Sequence, residues 1–170
     1  MSVVEAIIEA TKEVRGPYFK LPVAGLDDPL LRERVYCYEL YHQLRRRDQH
    51  PKVVLTAEPD KQGNPSFANG PKPKPDLVFH SPGTHKKNAA VVEVECRPQL
   101  RHLRKDMKTL KLMQEKGYTT LVLLLFGVVT VPWKRIRRAA TEAGLDVAEC
   151  VVLLHSHNGK PASIEKDSSA

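Results

Sequence analysis

This chain is short of cysteine and of aromatic rings, and each shortage excludes something. Cys37, Cys96 and Cys150 are odd in number, far apart and set in apolar stretches. There is no CxxC pair to hold zinc, so the three read as reduced core thiols of an intracellular protein. Aromatic residues make up 6% of the chain, too few for a stacking platform to dominate the recognition of single strands. GxSxG, GxxxxGK and a GxGxxG after a strand are all missing, which removes the chemistries those loops support. The scattered histidines, His155 and His157 among them, lack partners at zinc-ligand spacing. No apolar run is long enough to span a membrane. The apolar N-terminal stretch is interrupted by Glu5 and Glu9, unlike a signal peptide, so the expected location is cytoplasmic.

What the chain does have is positive charge. Lys and Arg total 27 against 20 Asp and Glu, a net +7 that favours a polyanionic partner. The cations cluster at Arg45–Arg47, Lys86–Lys87, Arg97 through Lys111 and Lys134 through Arg138. With 170 residues, 41% of them hydrophobic, the chain is long enough to bury one core without staples.

Periodicity supplies the elements. Val3, Val4, Ile7, Ile8 and Ala10 recur at helical spacing and predict a first helix over about 2–14. Asp28 followed by Pro29 predicts the start of a second, running to Arg47 with Leu31, Val35, Tyr38, Tyr41 and Leu44 on its buried side. Strands are expected at 52–57, 76–80, 89–96, 119–126 and 146–154, and helices at 98–116 and 132–143. Residues 59–74 form a long polar loop, of the kind that is more often functional than idle. The order α-α-β-β-β-α-β-α-β predicts an α/β fold of the α+β type, a mixed sheet flanked by helices. A single domain covers 1–155, and the polar residues 156–170 read as a flexible tail.

The chemistry concentrates in VVEVEC, Val91 to Cys96. Strand alternation puts Glu93 and Glu95 on one face and Val92, Val94 and Cys96 on the other. Two carboxylates on one face of an apolar strand repel each other and resist burial unless a cation joins them. Asp76 opens the preceding strand and can add a third. The competing reading is an edge strand with both glutamates in water, paired with Arg97 and the lysines of the next helix.

KPKPDLVFH, a polar turn with Asn88, AAVVEVEC and a helix containing KDMKTLKLM together resemble the PD-(D/E)XK nuclease superfamily, in particular its small bacterial members. The resemblance covers about residues 28–126 and implies a restriction-endonuclease-like core. By position it makes Asp76 the aspartate of the PD step and Glu93 the acid of the next strand, with the Val94 carbonyl as a third metal ligand. It further implies Mg²⁺ or Mn²⁺ as cofactor, hydrolysis of phosphodiester bonds in DNA, and two copies pairing as a homodimer to cut two strands.

The departure is at Glu95, where the superfamily carries lysine. Glu95 can be an extra ligand or a base; Lys105 or Lys108 can reach back from the next helix to supply the charge; or the site can bind without cutting. Arg101, Arg104, Lys105, Lys108 and Lys111, with Lys86 and Lys87 on the turn, are the expected contacts to backbone phosphates. Glu39, on the second helix, and Glu58, at the end of the first strand, are further metal-ligand candidates, the first equally readable as a solvated or salt-bridged helix glutamate and the second as a mere strand-end residue. Pro59–Asp60 is a rival PD pair, but it leads into polar residues and not into a strand. His80 shares a strand face with Asp76.

Overall fold

The computed structural model describes residues 1–47, 53–59, 70, 72–81, 83 and 88–168. Among these, six strands form one mixed sheet in chain order: β1 (Val54–Ala57), β2 (Leu77–His80), β3 (Ala90–Glu95), β4 (Thr120–Phe126), β5 (Cys150–His155) and β6 (Ser163–Glu165). The pairs β1–β2 and β2–β3 are antiparallel. The pairs β3–β4 and β4–β5 are parallel, and each needs a crossover helix: α4 (Leu100–Glu115) and α5 (Trp133–Ala143). The last strand, β6, returns antiparallel on β5.

Helices cover both faces of the sheet. On one face lie α1 (Val3–Lys12), the short α2 (Gly16–Phe19) and α3 (Glu33–Arg47), packed over Leu77, Val92, Val94, Val122, Leu124 and Phe126. On the other, α4 and α5 pack over Val78, Val91, Leu121, Leu123, Leu125 and Val152. Alternation along β4 therefore fills two cores from one continuous apolar run, as expected of a central parallel strand. The ends of the helices are locally specified. Ser2 and Glu5 form a reciprocal capping box at α1, and Gly144, with φ of 69°, closes α5 in the left-handed conformation.

Three expectations need correction. The second helix does not start at Asp28–Pro29. Leu30 exchanges two backbone hydrogen bonds with Leu21, at 2.8 and 2.9 Å, and the residue before a proline disfavours helix, so the segment is extended and α3 begins at Glu33. Its buried side is Tyr36, Cys37, Leu40 and Leu44 together with Glu39 and Gln43, while Tyr38 is 56% exposed. Leu31 instead packs against Gly127, where a Cβ would come within 2.5 Å of its side chain.

The tail reading fails within 156–170. Residues 163–165 form β6, Ala162 is buried, and its N–H donates to Thr11 Oγ1 at 2.8 Å. The alternation there is too short to stand out in the sequence, and pairing with β5 supplies the rest. Finally, β3 is an interior strand with all six residues buried, so the reading of Glu93 and Glu95 as a solvated edge does not hold. Among the described residues, no helix is long and apolar enough to cross a membrane.

Candidate metal centre

The register of the sheet places the acids. Asp76 immediately precedes β2, where Leu77 faces Val92, so Asp76 lies beside the carboxylate-bearing part of β3. Its Oδ2 accepts a 2.7 Å hydrogen bond from the Val94 N–H. Val91, Glu93 and Glu95 point to the α4 side, as alternation requires, while Val92 and Val94 enter the opposite core.

Glu93 has no exposed surface, and neither of its carboxylate oxygens has a hydrogen-bond partner. Buried polar atoms are nearly always partnered, and an isolated buried carboxylate is costly. Burial, Asp76 and Asp106 push its pKa well above the ordinary carboxylate range, while Lys105 pulls the other way. Glu95 is also buried but is held. Its Oε1 accepts from the Arg97 N–H, and its Oε2 lies 3.1 Å from His102 Nδ1. His102 Nε2 accepts from Arg101 Nε at 3.1 Å, which leaves the ring proton on Nδ1, where it faces the Arg97 carbonyl at 3.0 Å as well as Glu95.

Two further acids join the group, and the sequence reading missed both. Glu33 comes from the first turn of α3; burial, then Asp76 and Glu95, raise its pKa to about 7. Asp106 sits on the inward side of α4 between Leu103, Met107 and Leu110, with Oδ2 buried and unpartnered. Burial raises it to about 8 against the opposing pull of Lys105. The signal for Asp106 was present: an acid inside the apolar stripe of an otherwise basic helix. Glu33 had none, since one acid among the charged residues of a helix start looks like an ordinary first-turn carboxylate.

Burial lifts Asp76 to about 6, opposed by the Val94 hydrogen bond and by Lys105 and assisted by Glu58 and Glu95. Lys105 is the cation that faces this group. Its Nζ lies 3.9 Å from Asp106, and its side chain is 66% exposed, leaving it room to move. Burial lowers its pKa, but Glu93, Asp106, Asp76 and Glu33 outweigh that and leave it raised. Four carboxylates, those of Glu93, Asp106, Asp76 and Glu33, thus bear on one lysine, and Glu95 lies beside Glu33. Carboxylates are hard oxygen donors, the kind that divalent cations such as Mg²⁺ accept. Glu33, Glu95 and Cys96 have ligand atoms within 4.8 Å of one another.

The other candidates fall elsewhere. Glu39 is buried but bonded to Gln43 Nε2 at 2.9 Å and lies 3.7 Å from Arg15, on the side of α3 that packs toward α1 and α2. Glu58 stays at the rim, paired with Arg34 and Lys74, and its N–H donates to the Asp76 carbonyl at 2.9 Å. Its φ of 40° is unusual for a residue other than glycine. His80 Nε2 lies 3.0 Å from Thr56 Oγ1.

Lys108 is placed on the groove side of α4. It lines an adjacent groove of about 710 Å³ with Lys72, Arg101, Arg104, Lys105 and Lys111. Arg104 is engaged there by Glu142, which also holds Arg138. Lys86, Lys87 and Asp60 lie outside the described residues. No family model matches the chain, and no curated protein matches it.

Proposed function

We propose that the chain is a metal-dependent nuclease that hydrolyses phosphodiester bonds in DNA. The observation that carries this reading is Glu93: fully buried, unpartnered at both oxygens, and set among Asp76, Glu33 and Asp106 next to a groove lined by cations. The resemblance at KPKPDLVFH and VVEVEC supports it, and so does the mixed sheet that brings those two segments side by side.

In this reading Asp76, Glu93 and Glu95 hold Mg²⁺ or Mn²⁺, with the Val94 carbonyl as a further donor. The bound cation supplies Lewis-acid polarisation of the phosphate and an acidified water. The chain's own residues do the rest. Arg101, Lys108, Lys111 and Lys72 hold backbone phosphates in the groove. Lys105, exposed and facing the carboxylates, offsets charge on the reacting phosphate and takes the place of the lysine absent at position 95. Glu95, oriented through Oε1 by the Arg97 N–H and with Oε2 3.1 Å from His102 Nδ1, serves as ligand or as base toward the water.

The test is nicking of supercoiled plasmid by the purified chain in Mg²⁺, Mn²⁺ or EDTA, beside Glu93→Gln. Metal-dependent cleavage that disappears in the variant is expected. Equal cleavage by wild type and variant would reject the site. A second reading, a module of this fold that binds nucleic acid without cutting, is favoured by Glu95 in the lysine position. Salt-sensitive DNA binding with no cleavage in either metal would select it.

A further inference from the structure

The edge of the sheet where β3 ends at Glu95 also carries an apolar loop that the proposed chemistry does not use. β3 and β4 run parallel with Glu95 opposite Leu125, so the chain leaves both strands on the same side. After β4 come residues 127–132, GVVTVP, before α5 begins at Trp133. Val128, Val131 and Trp133 pack against the core under α4 and α5. Val129 is 77% exposed, more than any other large apolar side chain among the described residues. The loop is pinned at both ends. The Gly127 N–H donates to the His155 carbonyl, and the Trp133 N–H to the Val131 carbonyl, each at 3.0 Å. Leu31, just before Glu33, packs against Gly127, and Arg135 Nη1 donates to the Pro98 carbonyl, just beyond Glu95, at 3.4 Å. The exposed valine therefore stands on an anchored backbone beside the carboxylates.

Its surroundings are cationic. Exposed Arg97 and Arg101 follow β3, exposed Lys134 and Arg135 open α5, and exposed Arg32 precedes α3. Neither α4 nor α5 has an acid in its first turn or a side-chain cap, so the positive ends of both helices add to that field. An apolar tip flanked by positive charge is complementary to a partner with an anionic backbone and apolar faces next to it. A nucleic acid with accessible bases has both.

We propose that the Val129 loop recognises unstacked bases next to the phosphate at the carboxylate site, so that the preferred substrate is DNA with a locally opened duplex. Placing an apolar side chain between paired, stacked bases costs their unstacking, a cost that is smaller where the bases are already unpaired. With aromatic rings scarce, an anchored apolar wedge takes the place of a stacking platform. The proposal rests on the DNA reading given above, but not on cleavage.

The experiment measures binding in EDTA, by fluorescence anisotropy, to two labelled duplexes that differ only in a short central bubble. A 2-aminopurine beside the bubble reports unstacking. Wild type is expected to bind the bubble more tightly by roughly tenfold or more and to raise the 2-aminopurine fluorescence. Val129→Ser should bring the two affinities together and leave the fluorescence unchanged. Ile164→Ser, which alters another exposed apolar side chain, on β6, should keep the preference. Equal binding of both duplexes by wild type, or a preference that survives in Val129→Ser, overturns the assignment of the loop. Sedimentation with phosphatidylserine–phosphatidylcholine vesicles that needs Val129, without any preference between the duplexes, overturns it in favour of a membrane surface. Binding to neither duplex removes the DNA reading as well. A bubble preference without plasmid cleavage in Mg²⁺ or Mn²⁺ leaves the loop assignment standing and removes only the nuclease.

Discussion

The backbone N–H of Val94 donates to Oδ2 of Asp76 at 2.7 Å, and that bond fixes the distance between the two strands' acids. A side chain before β2 is thereby tied to the strand that carries Glu93. The backbone group and the carboxylate satisfy each other, and the second oxygen of Asp76 is left for other work.

Replacing Asp76 separates these two roles. Asp76→Asn keeps an acceptor for Val94, and its stability should stay close to that of wild type. Asp76→Ala leaves a half-buried N–H unpaired, a loss of about 1–3 kcal/mol. Both should abolish plasmid cleavage. Urea denaturation beside the nicking assay reads the two effects, and an active Asp76→Asn would remove Asp76 from the site.

The metal-free protein should lose stability as pH rises. Burial raises Glu33 to about 7, Asp76 to about 6 and Asp106 to about 8. The unfolded chain releases these protons at ordinary carboxylate pH, so between the two ranges it binds fewer protons than the folded one, and stability falls with pH. Asp76 alone, lifted by roughly two units, accounts for on the order of 3 kcal/mol across that window. Melting temperatures in EDTA should decline from about pH 5 to about pH 8. Added Mn²⁺ should flatten or reverse the slope, because it binds the ionised form. A flat profile in EDTA would contradict the burial of these groups.

Lys105 and Lys108 should behave differently, although both stand on the basic side of α4. Both line the groove, and Lys105 is in addition the lysine on which Glu93, Asp106, Asp76 and Glu33 act. Lys105→Ala should lose cleavage by about a hundredfold or more, as expected for a group that stabilises transition-state charge. Lys108→Ala should keep the turnover rate, weaken DNA binding and lower the slope of log affinity against log salt by about one. Single-turnover rates at saturating enzyme distinguish the two. Equal rate losses would mean that neither is specially placed.

Glu142 restrains two arginines. Its carboxylate accepts from Arg104 Nη2 at 2.9 Å and from Arg138 Nε at 3.0 Å, and those partners hold its pKa near 2. Glu142→Gln should therefore free both guanidiniums, tighten DNA binding and steepen its salt dependence. Fluorescence anisotropy at several salt concentrations measures this. Weaker binding would show that the arrangement of α4 against α5, and not free charge, limits affinity.

How far the sequence could be read depended on whether a feature was local. Alternation in β3 and β4, the inward stripe of α4 and the position of Asp76 all follow from period and neighbouring residues, and the structure has them there. The start of α3 was misread because its decisive contact, Leu30 with Leu21, is a pairing across a loop. Glu33 lay inside the expected helix without being singled out, while the resemblance pointed to Glu39, which is buried against Gln43 and Arg15. Asp106 was legible in principle, since its spacing from Leu103 and Leu110 puts it on the apolar side. Whether an acid in such a stripe is partnered depends on the facing strand, which periodicity does not report.

The Tyr36 ring stacks on Phe126 at 3.9 Å, and its hydroxyl lies 2.8 Å from Nδ1 of His155, 119 residues further along the chain. Tyr36 stands one turn from Glu33, so the last residue of β5 helps to seat the first turn of α3. A ribosome delivers α3 long before β5. Glu33 therefore waits for almost the whole chain before it is held in place, and a part-made chain carries that carboxylate without its seat.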